Sequence, residues 1–440
     1  MASMSSTLTT TTLRHWLVRQ HQSFTKDFAT GSLNNWVVCV GNEAGDLDTL
    51  ASSIGFSFFA TLSNQSKTNY IPVQQTKSTD FSLRAENIQV LKLANLMDDH
   101  QNDLPMPELI CSDQIDFTKL TSYGAKYALL DHNRINTSIF GETAEVVAVI
   151  DHHQPEAADT LYRSANPRLI QVPTGSCASL VADYFSSELS STSIPAEVAD
   201  LLLSAIAIDT GNFKPISEDG KATEADMTAK QWLLCRSRFA PNTTTSSLSD
   251  PGTGFKDFYK QLAKIQKDVS SLTTAQLLLR DYKQSDVNGW SLGISSVPTP
   301  LEAWVEEKND ADWSKFMDAF KSHAENKKLD VASILTSAFK SKKLTTGAGS
   351  PKPGRRLVLL ATGTRMEQVS NLLKQEQANL MADQSLQLSV FDIKDPASIN
   401  AWTTQNHASV YIFIVGNSSA SRKQVTPVLL KLMEQLGPKS

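Results

Sequence analysis

The chain has 440 residues and a formal charge of −5, with 40% hydrophobic and 20% charged residues. That length suits two domains with cores of their own, and the mildly acidic balance gives no bulk electrostatic reason to bind nucleic acid or a membrane surface. Four scattered cysteines (Cys39, Cys111, Cys177, Cys235) form no Cys-x-x-Cys pair, which argues against zinc-finger and disulfide frameworks and fits a reducing compartment; no apolar run approaches the roughly 20 residues of a membrane span.

Residues 1–34 open with a Ser/Thr-rich, acid-free tract followed by Arg14 and Arg19, a composition shared with transit peptides. The competing reading is an amphipathic helix over Leu13–Phe28, with Leu13, Trp16, Leu17, Phe24 and Phe28 packing on the first domain. The helix is preferred, and with it a cytoplasmic protein. From residue 35 to 240, strand and helix alternate. Strands are expected at Trp36–Val40, Tyr70–Val73, Glu108–Cys111, Tyr127–Leu130, Val146–Ile150 and Leu169–Val172. Helices are expected over Leu47–Leu62, Phe81–Leu96, Phe117–Tyr123 and Cys177–Glu188, then from Pro195 to Asp209 and from Thr223 to Cys235. Such alternation argues an α/β fold, a parallel sheet with helices on both faces. Thr174-Gly175-Ser176 offers free amides at the start of the Cys177 helix, which suit an anion; plain Ser or Thr capping is the simpler account.

Residues 241–254 are small and polar with Pro and Gly, the composition of an interdomain linker. The second domain, 255–440, reads as mixed α/β. Its expected helices are Phe255–Val269, Leu301–Glu325, Arg365–Glu376 and Ser421–Leu436. Its expected strands lie near Leu277–Leu279, Trp290–Ser295, Val331–Thr336, Leu357–Ala361, Leu386–Phe391 and Val410–Val415.

Four apolar segments of the first domain each end in a carboxylate. Val146–Ile150 runs into Asp151-His152-His153, and Tyr127–Leu130 into Asp131-His132-Asn133. Trp36–Val40 leads to Gly41-Asn42-Glu43-Ala44-Gly45-Asp46-Leu47-Asp48, and Leu201–Ile208 ends in Asp209-Thr210-Gly211-Asn212-Phe213-Lys214. In an open parallel sheet, ligands bind beyond the carboxyl ends of the strands. Hard divalent cations take carboxylate oxygens, with imidazole added for manganese-like metals.

In this order, and with the late Ser421-Arg422-Lys423-Gln424, these motifs resemble motifs I to IV and the substrate clamp of the DHH phosphoesterase superfamily, in the branch that carries a DHHA2 domain. That branch contains exopolyphosphatases, family II inorganic pyrophosphatases and prune-type proteins. The resemblance spans nearly the whole chain. It implies a DHH catalytic domain, a DHHA2 substrate-binding domain, and two divalent cations, which together can activate water and clamp a phosphoryl group. By the same resemblance Asp131 bridges the two ions, Asn42 and Asp46 complete one site, and Asp48, His152 and Asp209 complete the other. His132 and Asp151 hold their neighbours rather than touching metal. His153, Lys214, Arg422 and Lys423 grip the terminal phosphate while activated water attacks in line, so both domains are needed. Asn42 stands where the pyrophosphatases carry His. An amide oxygen is harder than imidazole, so Mg²⁺ is favoured, with Mn²⁺ or Co²⁺ as alternatives.

Two basic features bear on the substrate. Lys256, Lys260, Lys264 and Lys267 share one helical stripe. The stretch from Lys340 to Arg356 holds Lys340, Lys342, Lys343, Lys352, Arg355 and Arg356 with no acid. Together they would suit a channel threading a linear polyanion; the plain alternative is a solvated helix face and a surface loop. The expectation is a monomeric exopolyphosphatase acting on inorganic polyphosphate, with no nucleic-acid or membrane partner. Its rivals are a prune-like short-chain polyphosphatase or cyclic-nucleotide phosphodiesterase, a manganese-type inorganic pyrophosphatase, and a non-catalytic scaffold. The scaffold is disfavoured because every proposed metal position holds a competent ligand.

Overall fold

A computed structural model describes residues 12–63, 67–97, 105–155, 162–240, 254–338, 354–363, 365–392, 396–417 and 419–439. The chain divides into two compact units, Met1–Asp268 and Val269–Ser440.

The first unit is built on β1 (Trp36–Val40), β2 (Asn69–Gln74), β3 (Ile110–Cys111), β4 (Lys126–Leu130), β5 (Glu145–Asp151) and β6 (Arg168–Ile170). Their order is β3-β2-β1-β4-β5-β6, and every pair is parallel. Continuous apolar strands suit such a sheet, and all five residues of β1 are buried. The order reverses between β1 and β4, so a crevice opens beyond their carboxyl ends.

The N-terminal helix runs Leu13–Ala29, with Leu13, Trp16, Leu17 and Phe24 buried as its spacing predicts. Trp16 meets Phe58 edge-on at 5.2 Å, and Phe24 meets Trp36 at 5.1 Å. The expected Phe81–Leu96 helix is instead a 3-10 turn, Ser78–Leu83, and a helix, Ala85–Leu93. The helix Phe255–Lys267 lies in the first unit, where Phe258 and Leu262 join the core. The units therefore divide after Asp268, beyond the 241–254 linker, of which 241–253 lie outside the described residues.

The second unit carries β7 (Tyr282–Val287), β8 (Trp290–Val297), β9 (Val331–Thr336), β10 (Arg355–Ala361), β11 (Leu388–Val390) and β12 (Ser409–Val415). Their order is β11-β12-β10-β9-β8-β7; β8 and β9 are parallel and the other pairs antiparallel. Leu277–Leu279 is not a strand. It lies in a helix, Thr274–Arg280, started by a capping box between Thr273 and Gln276. The strand is the polar β7 that follows. The expected Leu301–Glu325 helix breaks into Leu301–Lys308 and Trp313–Asn326. Asp310 and Ala311 turn left-handed between them, and Asp312 caps the second helix. A helix at Pro396–Asn406 was not expected. Among the described residues, no helix is long and apolar enough to cross a membrane.

Candidate metal centre

The loop after β1 is pressed against the start of the helix Leu47–Ser63. A Cβ on Gly41 would lie 2.2 Å from Thr49 Cγ2, so only glycine allows this approach. Three side chains fix the loop by its carbonyls. Gln75 Nε2 donates to Gly41 at 2.6 Å, Arg84 to Ala44 at 2.8 and 3.1 Å, and Asn87 Nδ2 to Gly45 at 2.9 Å. Asp46 caps the helix, with Oδ1 accepting from the Thr49 N–H at 3.0 Å. Asp48 crosses to the start of another helix, Cys177–Ser186. It accepts from Ser176 Oγ at 2.8 Å and from the N–H groups of Cys177 and Ala178, both at 2.7 Å. Unpaired amides and the helix dipole favour a carboxylate there. Asp226 takes the preceding N–H groups, of Gly175 at 2.9 Å and Ser176 at 3.2 Å. The protein's own carboxylates thus hold the amides that the sequence left open to an anion.

Asp131 is the first residue after β4 and sits in left-handed backbone, φ 64°. Its buried Oδ2 accepts from Asn42 Nδ2 and from Thr49 Oγ1, both at 2.7 Å. Its Oδ1 lies 3.3 Å from His152 Nε2 and 3.5 Å from His153 Nδ1. His152 Nδ1 sits 3.0 Å from the Thr174 carbonyl oxygen, so it donates there. That tautomer leaves the Nε2 lone pair toward Asp131 and toward Asp48 Oδ2, 3.8 Å away. Asp131, His152 and His153 offer ligand atoms that lie within 4.8 Å of one another.

Asp151 makes this convergence of two adjacent histidines feasible. Side chains that follow each other along a strand point apart, but β5 ends here and the chain turns. Asp151 Oδ1 accepts from the N–H groups of His152 at 2.8 Å and His153 at 3.1 Å, and from His153 Nδ1 at 2.8 Å. Asn133 Nδ2 donates to its Oδ2 at 2.6 Å. The two imidazoles end up perpendicular, with centroids 4.5 Å apart.

The electrostatics separate these acids. Burial, reinforced by the charge on Asp131, pushes Asp48 up to about 7. Asp209 is raised well above the ordinary carboxylate value, first by burial and then by Asp48 and Asp46. It stands in the last turn of the helix Ala196–Thr210, the negative end of the dipole. Its Oδ2 is buried with no hydrogen-bond partner among the described residues. Burial also works upward on Asp151, but the hydrogen bond and charge of His153 outweigh it and leave that acid below its usual value. Carboxylates that raise one another, an orphaned buried oxygen and an imidazole lone pair aimed among them fit a divalent cation.

Other expected site residues fall as follows. Asn42 accepts the Ala44 N–H with Oδ1 at 2.9 Å and donates to Asp131 with Nδ2, so its amide orients Asp131, where the resemblance implied an oxygen ligand. His132 Nδ1 lies 3.0 Å from the Leu130 carbonyl oxygen. Lys214 is exposed, after three successive left-handed residues, Gly211, Asn212 and Phe213. In the second unit, Arg422 opens the helix Arg422–Met433 and pairs with Asp281, while Lys423 beside it is exposed. Lys256, Lys260, Lys264 and Lys267 are all exposed on their helix.

Two channel residues require correction. Arg356 is fully buried on β10, donating to Glu302 Oε1 at 3.0 and 2.6 Å and to the Gly354 carbonyl at 3.0 Å. Arg355 is spent on the carbonyls of Thr336 and Ala420, at 2.7 and 2.6 Å. Both serve the fold of the second unit rather than a channel wall. Lys340, Lys342, Lys343 and Lys352 lie outside the described residues. Sequence reasoning missed Thr49, Asn133, Ser176 and Asp226 as supports. Thr49 beside Asp48 and Asn133 beside His132 were adjacent to known motifs; nothing in the sequence paired Asp226 with Gly175.

Comparison with known proteins finds relatives of both units of the chain. Residues 36–206 match the family described as "DHH family, N-terminal domain", and residues 260–432 match the "DHHA2 domain". A Schizosaccharomyces pombe protein named "Putative exopolyphosphatase" is 26% identical over 411 residues, 91% of each chain. The "Exopolyphosphatase PRUNE1" of Mus musculus is 29% identical over 61% of this chain and 54% of that one. The "Manganese-dependent inorganic pyrophosphatase" of Methanothrix thermoacetophila is 23% identical over 72% of this chain and 87% of that one.

Proposed function

The chain belongs to the DHH phosphoesterase superfamily, and we propose that it is an exopolyphosphatase, hydrolysing the terminal phosphoanhydride of inorganic polyphosphate to release orthophosphate. The observation that carries this reading is the convergence of Asp131, Asp48 and Asp209 with His152 Nε2 in a buried site at the switch point of a parallel sheet.

With Asp46, these residues would hold two divalent cations. Bound there, the ions would supply an activated water and neutralise phosphoryl charge. Mg²⁺ is the favoured ion, because position 42 carries an amide where an imidazole would draw Mn²⁺ or Co²⁺. The chain's own contribution is orientation and charge. Asn42 and Thr49 fix Asp131, Ser176 and the Cys177 helix fix Asp48, and the Thr174 carbonyl fixes the His152 tautomer. His153 is anchored through Nδ1 by Asp151, and as an imidazolium it would donate from Nε2 to a phosphate oxygen. Lys214, Arg422 and Lys423 add positive charge for the terminal phosphate, since phosphoryl transfer relies on positioning and charge neutralisation more than on covalent chemistry. The exposed row Lys256, Lys260, Lys264 and Lys267 would guide longer chains. We further infer a monomeric, cytoplasmic protein with no nucleic-acid or membrane partner. The free thiols of Cys39, Cys111, Cys177 and Cys235 support the compartment.

The test is phosphate release from long-chain polyphosphate, tripolyphosphate, pyrophosphate and a cyclic nucleotide, each with Mg²⁺ or Mn²⁺, with Asp131→Asn as control. Release from long chains that is absent for pyrophosphate and lost in the control is the expected result. Release only from pyrophosphate or the nucleotide would keep the metal centre and discard the polyphosphate reading.

A further inference from the structure

Arg422 belongs to a cluster that the sequence motif does not include. Its Nη1 donates to the backbone oxygen of Asp281 at 3.0 Å and lies 3.1 Å from Asp281 Oδ1. Asp281 occupies the junction between the helix Thr274–Arg280 and β7, and its backbone oxygen also accepts the Ser296 N–H at 2.8 Å. The tip of Arg422 is therefore tied to a fixed point of the sheet. Its base is tied as well. Ser421 caps the helix through a capping box with Gln424, and Arg355 Nη1 donates to the Ala420 carbonyl at 2.6 Å. Burial lowers the pKa of Arg355, and the Asp281 charge acts on it in the opposite sense, so this carboxylate lies within the field of both guanidinium groups.

We propose that Asp281 is the positioning residue of the phosphate clamp: it holds Arg422 by Nη1 and so presents the Nε–Nη2 edge to two oxygens of a terminal phosphate. Among the described residues, Asp281 is the partner of the Arg422 guanidinium. The Nε–Nη2 edge is one that matches a phosphate with two parallel hydrogen bonds. An untethered arginine would be ordered by the substrate at each binding event, and that ordering weakens binding. The inference rests on Arg422 gripping phosphate, as proposed above.

The experiment measures KM and kcat for tripolyphosphate at saturating Mg²⁺, with melting temperatures, for Asp281→Ala, Asp281→Asn, Arg422→Ala and the Asp281→Ala/Arg422→Ala pair. Asp281→Ala removes Oδ1 but keeps the backbone acceptor, so it should raise KM by about threefold, the lower part of what freezing one flexible side chain represents, with kcat within about twofold of the parent. Asp281→Asn keeps an oxygen acceptor and should stay within about twofold on both. In the Arg422→Ala background, removing Asp281 should add nothing. Should Asp281→Ala not fold, Asp281→Ser takes its place.

An unchanged KM in Asp281→Ala overturns the proposal, as does an effect that survives the loss of Arg422. A fall in KM for either Asp281 variant also overturns it, by showing a competing anion instead of a tether. An Arg422→Ala protein with the parent's KM refutes the clamp itself, and so separates failure of the functional reading from failure of this inference.

Discussion

Replacing Thr49 with valine tests whether the hydrogen bonds around Asp131 tune metal binding. Thr49 Oγ1 and Asn42 Nδ2 each donate to Asp131 Oδ2 at 2.7 Å. Valine keeps the γ-methyl that packs near Gly41 and removes only the donor. A hydrogen bond to a buried charged group is worth about 1.5–3 kcal/mol. Because Asn42 remains, the lower end applies, which corresponds to about tenfold in metal affinity and sits within the range for removing a ligand's hydrogen-bond partner. Calorimetric titration of Mg²⁺ and Mn²⁺ into the metal-free protein, with melting temperatures as a control, measures this apart from catalysis. Thr49→Ser should restore binding to within about twofold. Parent-like affinity in Thr49→Val, or serine as weak as valine, refutes the argument.

Asn42→His should move the metal preference toward Mn²⁺ or Co²⁺, and an unchanged rate profile across the three metals would remove the amide from the account of metal choice. Reversing charge at Lys260 and Lys264 should weaken long-chain polyphosphate more than tripolyphosphate in a KM comparison; equal effects would return the stripe to a solvated face. Arg356→Ala leaves Glu302 without its buried partner and should cost roughly 3–5 kcal/mol of stability, with the long-to-short activity ratio unchanged; a shifted ratio at the parent's melting temperature would put Arg356 back on the substrate path. Burial holds the folded value of Asp48 up at about 7, against 3.8 for an ordinary aspartate. The metal-free fold therefore holds this proton longer than the unfolded chain does, and its contribution is lost as pH rises from about 4 to 7. Metal-free protein should melt lower at pH 7 than at pH 5, with the slope flattened in Asp48→Asn; the opposite slope, unchanged in that variant, contradicts the assignment.

The first unit was readable because its strands are short apolar runs that stop at acids, and the acids mark the chemistry. The runs ending at Val40, Leu130 and Ile150 sit where the sheet places its ligand crevice. In the second unit the cues were weaker. β7 (Tyr-Lys-Gln-Ser-Asp-Val) has little apolar alternation, whereas Leu277-Leu278-Leu279 is apolar but follows a Thr273–Gln276 capping box. Capping chemistry decided that segment, and its triple leucine misled. The Arg355-Arg356 pair shows a different limit. Composition counted two cations in a basic stretch, but both belong to strand β10, so adjacent side chains leave on opposite faces and only packing reveals their partners. The supports of the metal centre were hidden for a related reason: Asp48 and Ser176 are 128 residues apart in sequence.

Gathering Asp48, Asp131, Asp151 and Asp209 in one buried region is unfavourable, and the fold offsets it unevenly. Asp48 has a helix N-terminus, Asp131 has Asn42 and Thr49, and Asp151 has Asn133 and His153. These three are held whether or not a cation is near. Asp209 differs, with a buried Oδ2 that has no partner among the described residues and a place at the negative end of its helix. Its charge thus depends on a cation more than the others do. Asp209→Asn should then raise the melting temperature of the metal-free protein while abolishing the rise that Mg²⁺ gives the parent. If the variant instead melts lower without metal, or keeps the full Mg²⁺ shift, Asp209 does not carry the unmet charge of this site.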